Sequence, residues 1–243
     1  RADLVVFNGL GFEGWIARLI EDSDLETKQL VASQGVSVIY NNGEADPHAW
    51  QSFANIRLYV QNISAMLISL MPQHEQELKR HKKAYLNRLN TLETRLSKLI
   101  SNTPIEERIV VTSHDAFGYL GREFDIQFLA PLGLSLDVEA SAEDVASIVD
   151  QIRKRNVKAL FLENINNPRL LESIATETGV SIGGRLYSDA LSEIDGPAAD
   201  YLQMMQHNIE TLTKTFNSTP QATSHNNLNL ATRVHPLKEA SNE

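Results

Sequence analysis

Ile109-Val110-Val111-Thr112-Ser113-His114-Asp115-Ala116-Phe117 decides the fold. Three β-branched apolar residues in a row read as a short buried strand. The polar run from Thr112 to Asp115 ends it, and apolar residues around Phe117 to Leu120 open a helix. The stretch is a strand, a loop and a helix, with an imidazole at the strand's carboxyl end.

The same alternation continues toward the C-terminus. A run at Phe128-Leu129 is followed by Ser141, which caps a helix carrying Val145, Ile148, Val149 and Ile152. Leu160-Phe161-Leu162 reads as a strand and Leu170, Leu171 and Ile174 as a helix. A short run through Val180 and Ile182 meets a Gly183-Gly184 break, and a last helix runs from about Pro197 to Phe216.

Toward the N-terminus, Leu4 to Phe7 is a strand, Asn8-Gly9-Leu10-Gly11 a turn, and Trp15, Ile16, Leu19 and Ile20 lie at helical spacing. A second apolar run, Val36 to Tyr40, precedes the loop Asn41-Asn42-Gly43. In Asp46-Pro47-His48-Ala49-Trp50, Asp46 reads as an N-cap and Pro47 as the first helical residue, which puts His48 in a helix's first turn. Phe53, Ile56, Val60, Ile63, Leu67 and Leu70 then form one apolar stripe that ends near Met71-Pro72 and is expected to pack on the first sheet.

Between these sets, Leu78, Tyr85, Leu89, Leu92, Leu96 and Leu99 recur in a charged background, which predicts a long solvated helix. The charge run from Glu75 to Lys83 is its solvated face. The expected fold is α/β: two lobes of parallel sheet with helical cover, joined by one long rigid helix. Residues 1–72 form the first lobe, 73–102 the connecting helix and 103–218 the second lobe. From Asn217 onward Ser, Thr, Asn, Gln and Pro dominate without periodicity, so 219–243 is expected to be a flexible tail.

The chain has 243 residues, 42% of them hydrophobic, enough to bury a sizeable core. Its net charge of -9 argues against the basic surface that nucleic acid requires. It has no cysteine, so any metal must be held by His, Asp or Glu. No apolar stretch approaches the roughly 20 residues of a membrane span. The chain opens on Arg1-Ala2-Asp3 with no initiator Met, which is the expectation for a processed or truncated product.

In parallel α/β sheets, ligands gather at the carboxyl ends of the strands. Three polar clusters stand there: Asp46-Pro47-His48-Ala49-Trp50, Thr112-Ser113-His114-Asp115-Ala116-Phe117 and Leu186-Tyr187-Ser188-Asp189-Ala190. Each offers an imidazole or carboxylate, ligands that suit Zn2+ and Mn2+. A helix N-terminus also disfavours imidazolium, which would keep His48 in its ligand form.

These three segments, in this order, resemble the ligand segments of the solute-binding proteins that serve zinc and manganese ABC importers. Ala2 to Glu13 and Leu160-Phe161-Leu162-Glu163-Asn164 match as well, so the resemblance covers nearly all of residues 1 to 216. In that family four side chains hold one metal between two lobes. By motif matching, His48 in the first lobe and His114 and Asp189 in the second fall on three of those positions. The fourth is a His in an Asp-x-His segment upstream of the Ala-Asp-Leu strand. The resemblance therefore implies a first lobe truncated at its start and short of one ligand, for which water can stand in.

Some relatives carry Glu where this chain has His114; the His makes the ligand shell richer in nitrogen and favours Zn2+ over Mn2+. The His-rich insertion of some zinc-specific relatives is missing, which counts the other way. Glu163 is expected either to orient a ligand through a hydrogen bond or to serve as a cap or interlobe contact. Asp115 is expected to cap a helix, and His207 to pack on the last helix. The implied protein is a monomeric, non-enzymatic, extracytoplasmic carrier, periplasmic or anchored as a lipoprotein, which hands a divalent ion to an ABC permease. Its long helix would restrict lobe movement.

Two other classes fit less of the sequence. A metallohydrolase would use the same two His and one Asp with an open water position. Asp115, Glu139 or Glu163 would be its nominal base, yet no His-Glu-x-x-His, nucleophile elbow or phosphate loop accompanies them. A surface adhesion module would need a feature separate from the metal site, and the sequence offers none.

Overall fold

A computed structural model describes residues 2–14, 27–135 and 140–217. The helix expected around Trp15 to Ile20, Glu139, and the tail from 219 lie outside them.

In the first lobe β1 (Leu4–Phe7) pairs in parallel with β2 (Lys28–Val31), Leu4 opposite Lys28 and Phe7 opposite Val31. The second apolar run, Val36 to Tyr40, is not this partner. Only its last residue lies in a strand, in a hairpin of β3 (Tyr40–Asn41) with β4 (Glu44–Ala45). Asn42 and Gly43, both at positive φ, make the turn, as a two-residue hairpin requires. β2 escaped the apolar pattern because only Leu30 of its four residues is buried.

The helix expected from Pro47 starts later. Ala49–Gln51 form a single 3-10 turn, and α1 (Phe53–Leu70) begins after Ser52, whose hydroxyl accepts the Asn55 N–H at 3.3 Å. The Asp46 carboxylate accepts the His48 N–H at 2.9 Å and lies 2.8 Å from its Nδ1, but the chain continues into the 3-10 turn rather than an α-helix. α1 packs on β2 as expected, and also along α2 (Glu75–Ile100). The first half of α2 is mostly exposed. Its second half buries Leu89, Leu92, Leu96 and Ile100 between α1 and the last helix, α6 (Tyr201–Phe216).

The second lobe is built on four parallel strands in the order β6-β5-β7-β8: β5 (Ile109–Val111), β6 (Gln127–Leu129), β7 (Ala159–Glu163) and β8 (Ile182–Leu186). α3 (Gly118–Phe124) follows β5, α4 (Ala142–Lys154) precedes β7, and α5 (Arg169–Thr178) follows it. Gly183-Gly184 is no break. Both lie inside β8, whose register against β7 shifts by one residue at Gly183, and a Cβ there would come 2.8 Å from the Phe161 ring of β7. α6 starts at Tyr201 rather than near Pro197, where the Asp200 carboxylate accepts the Gln203 N–H at 2.8 Å.

One face of this sheet packs Val111 and Leu160 against Ile148, Val149, Ile152, Leu171 and Ile174 of α4 and α5. The other packs Val110 and Phe161 into a core shared with α3, α6, α2 and α1. That core does not stop at the lobe boundary: Phe53 of α1 meets Phe124 of α3 edge to face at 6.2 Å. The direction of strand addition reverses between β5 and β7, so the ligand crevice of this fold opens at their carboxyl ends.

Candidate metal centre

His114 lies in that crevice. Thr112 N–H donates to Leu129 O at 2.9 Å and Asp115 N–H to Gly133 O at 3.1 Å, so the β5 to β6 pairing continues past the strands and fixes the His114 backbone between them. Glu163, the last residue of β7, faces it. One carboxylate oxygen accepts the N–H groups of Ser113 and His114 at 2.8 and 3.0 Å. The other lies 2.7 Å from His114 Nδ1. These contacts of Glu163 are all to Ser113 and His114 of its own lobe.

Asp189 follows β8. Asn208 of α6 holds the adjacent Tyr187 backbone through both its N–H, at 2.9 Å, and its carbonyl, at 2.8 Å. The Ser188 carbonyl accepts Trp50 Nε1–H at 3.0 Å and Gln51 Nε2–H at 3.1 Å, so the first lobe's 3-10 turn grips the residue beside Asp189. His48 caps that turn. Asn8 anchors it from below by donating to the Pro47 carbonyl at 2.9 Å.

The three side chains converge. His48 Nε2 lies 3.4 Å from one Asp189 oxygen, His114 Nε2 lies 3.4 Å from the other, and the ligand atoms all fall within 4.8 Å of one another. Both imidazoles are buried, and the Asp189 side chain is 16% exposed. His114 Nε2 and Asp189 Oδ1 are buried and have no hydrogen-bond partner among the described residues. Unpaired buried polar atoms are costly, and a cation between them removes that cost. The residues therefore fit a small divalent ion with nitrogen and oxygen donors.

Burial opposes a charge on His114, but Asp189 and Glu163 outweigh it and lift the imidazole to about 9. An arriving ion therefore displaces a proton from this ring near neutral pH. A cleft of about 290 Å3, walled by Phe12, Trp50, Leu191, Tyr201 and Met204, opens beside Asp189.

Asp115 does not cap α3; its carboxylate accepts a hydrogen bond from Asn41 across the lobe seam, and burial raises its pKa. His207 packs edge to face on Tyr187 at 5.2 Å, with Nε2 3.0 Å from the Arg185 carbonyl. His74 and His81 sit beside Glu77 on the exposed part of the long helix and its approach. Sequence reasoning missed the role of Asp46, which lies against His48, and the Trp50 and Gln51 bonds to Ser188. The Asp-x-His spacing was the available signal for the first; nothing local marks the second.

A parallel-sheet crevice facing a second lobe, with buried imidazoles and a carboxylate between them, defines a metal-binding solute receptor. The chain belongs to the family described as zinc-uptake complex component A, periplasmic, which matches residues 1–215, and is thus an extracytoplasmic substrate-binding protein of a metal ABC importer rather than an enzyme. It is 32% identical over 223 residues to the manganese-binding lipoprotein MntA of Bacillus subtilis (strain 168), covering 88% of this chain and 73% of that one. It is 29% identical over 220 residues to the iron-binding protein YfeA of Yersinia pestis, covering 88% and 70%. Its fold matches the periplasmic zinc binding protein TroA from Treponema pallidum with a TM-score of 0.84 at 27% identity, covering 88% of this chain and 81% of that one.

Proposed function

We propose that this protein captures one divalent transition-metal ion between His48, His114 and Asp189, with Zn2+ preferred over Mn2+, and delivers it to its ABC permease. The convergence of two buried imidazoles and a partly exposed carboxylate, with ligand atoms within 4.8 Å of one another and His114 Nε2 and Asp189 Oδ1 without a hydrogen-bond partner among the described residues, carries this reading. Two imidazoles to one carboxylate make a nitrogen-rich set, which suits Zn2+ better than the oxygen-rich shell that Mn2+ favours. Relatives are named for zinc, manganese and iron, so a direct comparison of ions tests the preference.

The cargo is held between lobes of residues 1–72 and 103–218, with the helix of 73–102 packed against both. Such a continuous contact restricts capture and release to small movements. Calorimetric titration of the metal-free protein with Zn2+ and with Mn2+ tests the proposal. One tight site, stronger for Zn2+ and lost in His114→Ala, is the expected result. A stronger Mn2+ isotherm would overturn the preference, and no saturable site for either ion would overturn the ligand set.

A further inference from the structure

The second histidine has its Glu163; the first has a carboxylate of its own, supplied by a residue whose sequence reads as a helix cap. Asp46 is only 2% exposed, and its Oδ1 lies 2.9 Å from the His48 backbone nitrogen and 2.8 Å from His48 Nδ1. An ionised carboxylate only accepts, so the ring must present its proton at Nδ1, which leaves the Nε2 lone pair facing Asp189.

Asp46 itself is fixed from the other lobe. Tyr119 of α3 donates its hydroxyl hydrogen to the Asp46 carbonyl at 2.9 Å, and the same hydroxyl accepts the Ile39 N–H at 3.1 Å. The Asp46 N–H donates to the Ile39 carbonyl at 2.8 Å. The second carboxylate oxygen, Oδ2, rests against Gly118 so closely that a Cβ there would come 2.8 Å from it. The first residue of α3 thus has no room for a side chain because Asp46 occupies it.

We infer that Asp46 is a positioning residue of the metal site: it holds His48 as the Nδ1–H tautomer and aims Nε2 at the ion, and it is itself set in place by Tyr119 and Gly118 of the opposite lobe. The inference rests on the proposed ligand set. First-lobe ligand geometry then depends on second-lobe residues that touch no metal.

The test uses the full chain labelled with 15N at histidine. In the metal-free protein at alkaline pH, two-bond proton to nitrogen correlations report each neutral tautomer. His48 should appear as Nδ1–H in the wild type and in Asp46→Asn, whose side-chain oxygen can still accept, and as a mixture in Asp46→Ala. Zn2+ titration should show Asp46→Ala weakened about 10- to 100-fold at unchanged stoichiometry, as loss of such a partner does elsewhere, with Asp46→Asn recovering much of the loss. Gly118→Ala should weaken binding in the same direction while His114 keeps its tautomer. A wild type with no Zn2+ site would sink the ligand set. A wild type that binds, beside an Asp46→Ala protein with unchanged His48 tautomer and affinity, would sink this inference alone.

Discussion

His114 stands at the end of a strand buried on both faces, whereas His48 stands on a three-residue 3-10 turn in a lobe with two short, partly exposed parallel strands. Strand pairing and Glu163, all within the second lobe, fix the first of these rings. The other is fixed by Asp46, and the turn around it is gripped by Tyr119, Ser188 and Tyr201 of the second lobe. A ligand on a sheet is as firm as the sheet. A ligand on a turn is as firm as the seam that holds it, and here the seam is formed by the protein's own second half.

The largest expected effect tests the sheet. Phe161 is fully buried in β7, and Phe161→Ala should lower stability by about 3–5 kcal/mol in urea denaturation. A loss below about 1 kcal/mol would mean that the sheet does not carry the second lobe.

Next is pH. His114 sits at about 9 in the folded, metal-free protein against 6.5 for a free imidazole. Its charged form therefore stabilises the fold fully below pH 6.5, and that contribution is lost as pH rises through about 9. Metal-free protein should lose on the order of 3 kcal/mol across this window. Zn2+-loaded protein, with the ring nitrogen occupied, should not. A flat profile for the metal-free form would show that the two carboxylates do not hold a proton on His114.

Tyr119→Phe tests the seam, because it strips the Asp46 carbonyl and the Ile39 N–H of one shared partner. A loss of about 1–3 kcal/mol is expected, with weaker Zn2+ binding and an unchanged His114 tautomer. Equal disturbance of both histidines would erase the contrast between the lobes. The smallest effect lies on the far face. Ser141→Ala removes the capping box of α4 and should cost about 1 kcal/mol without altering metal affinity.

The second lobe was the more legible in sequence for the same physical reason that makes it firmer. Ile109 to Val111 and Leu160 to Leu162 lie in strands covered on both faces, so they appear as unbroken apolar runs. β2 shows one buried residue in four and leaves no such trace. β8 was obscured by Gly183-Gly184, where Gly183 leaves room for the Phe161 ring of β7 and Gly184, at φ +147°, for Thr211 of α6, contacts no local pattern displays. His48, His114 and Asp189 were legible because each follows or flanks a recognisable element. Asp46-Pro47 was read as a cap because that dipeptide commonly opens helices. Only the fold shows its carboxylate turned onto the imidazole two residues on.

The uneven exposure of the three proposed ligands sets an order of events. Both imidazoles are sealed, and the Asp189 carboxylate alone reaches solvent, beside the cleft of Phe12 and Trp50. An ion arriving from solvent would therefore meet the carboxylate before either imidazole.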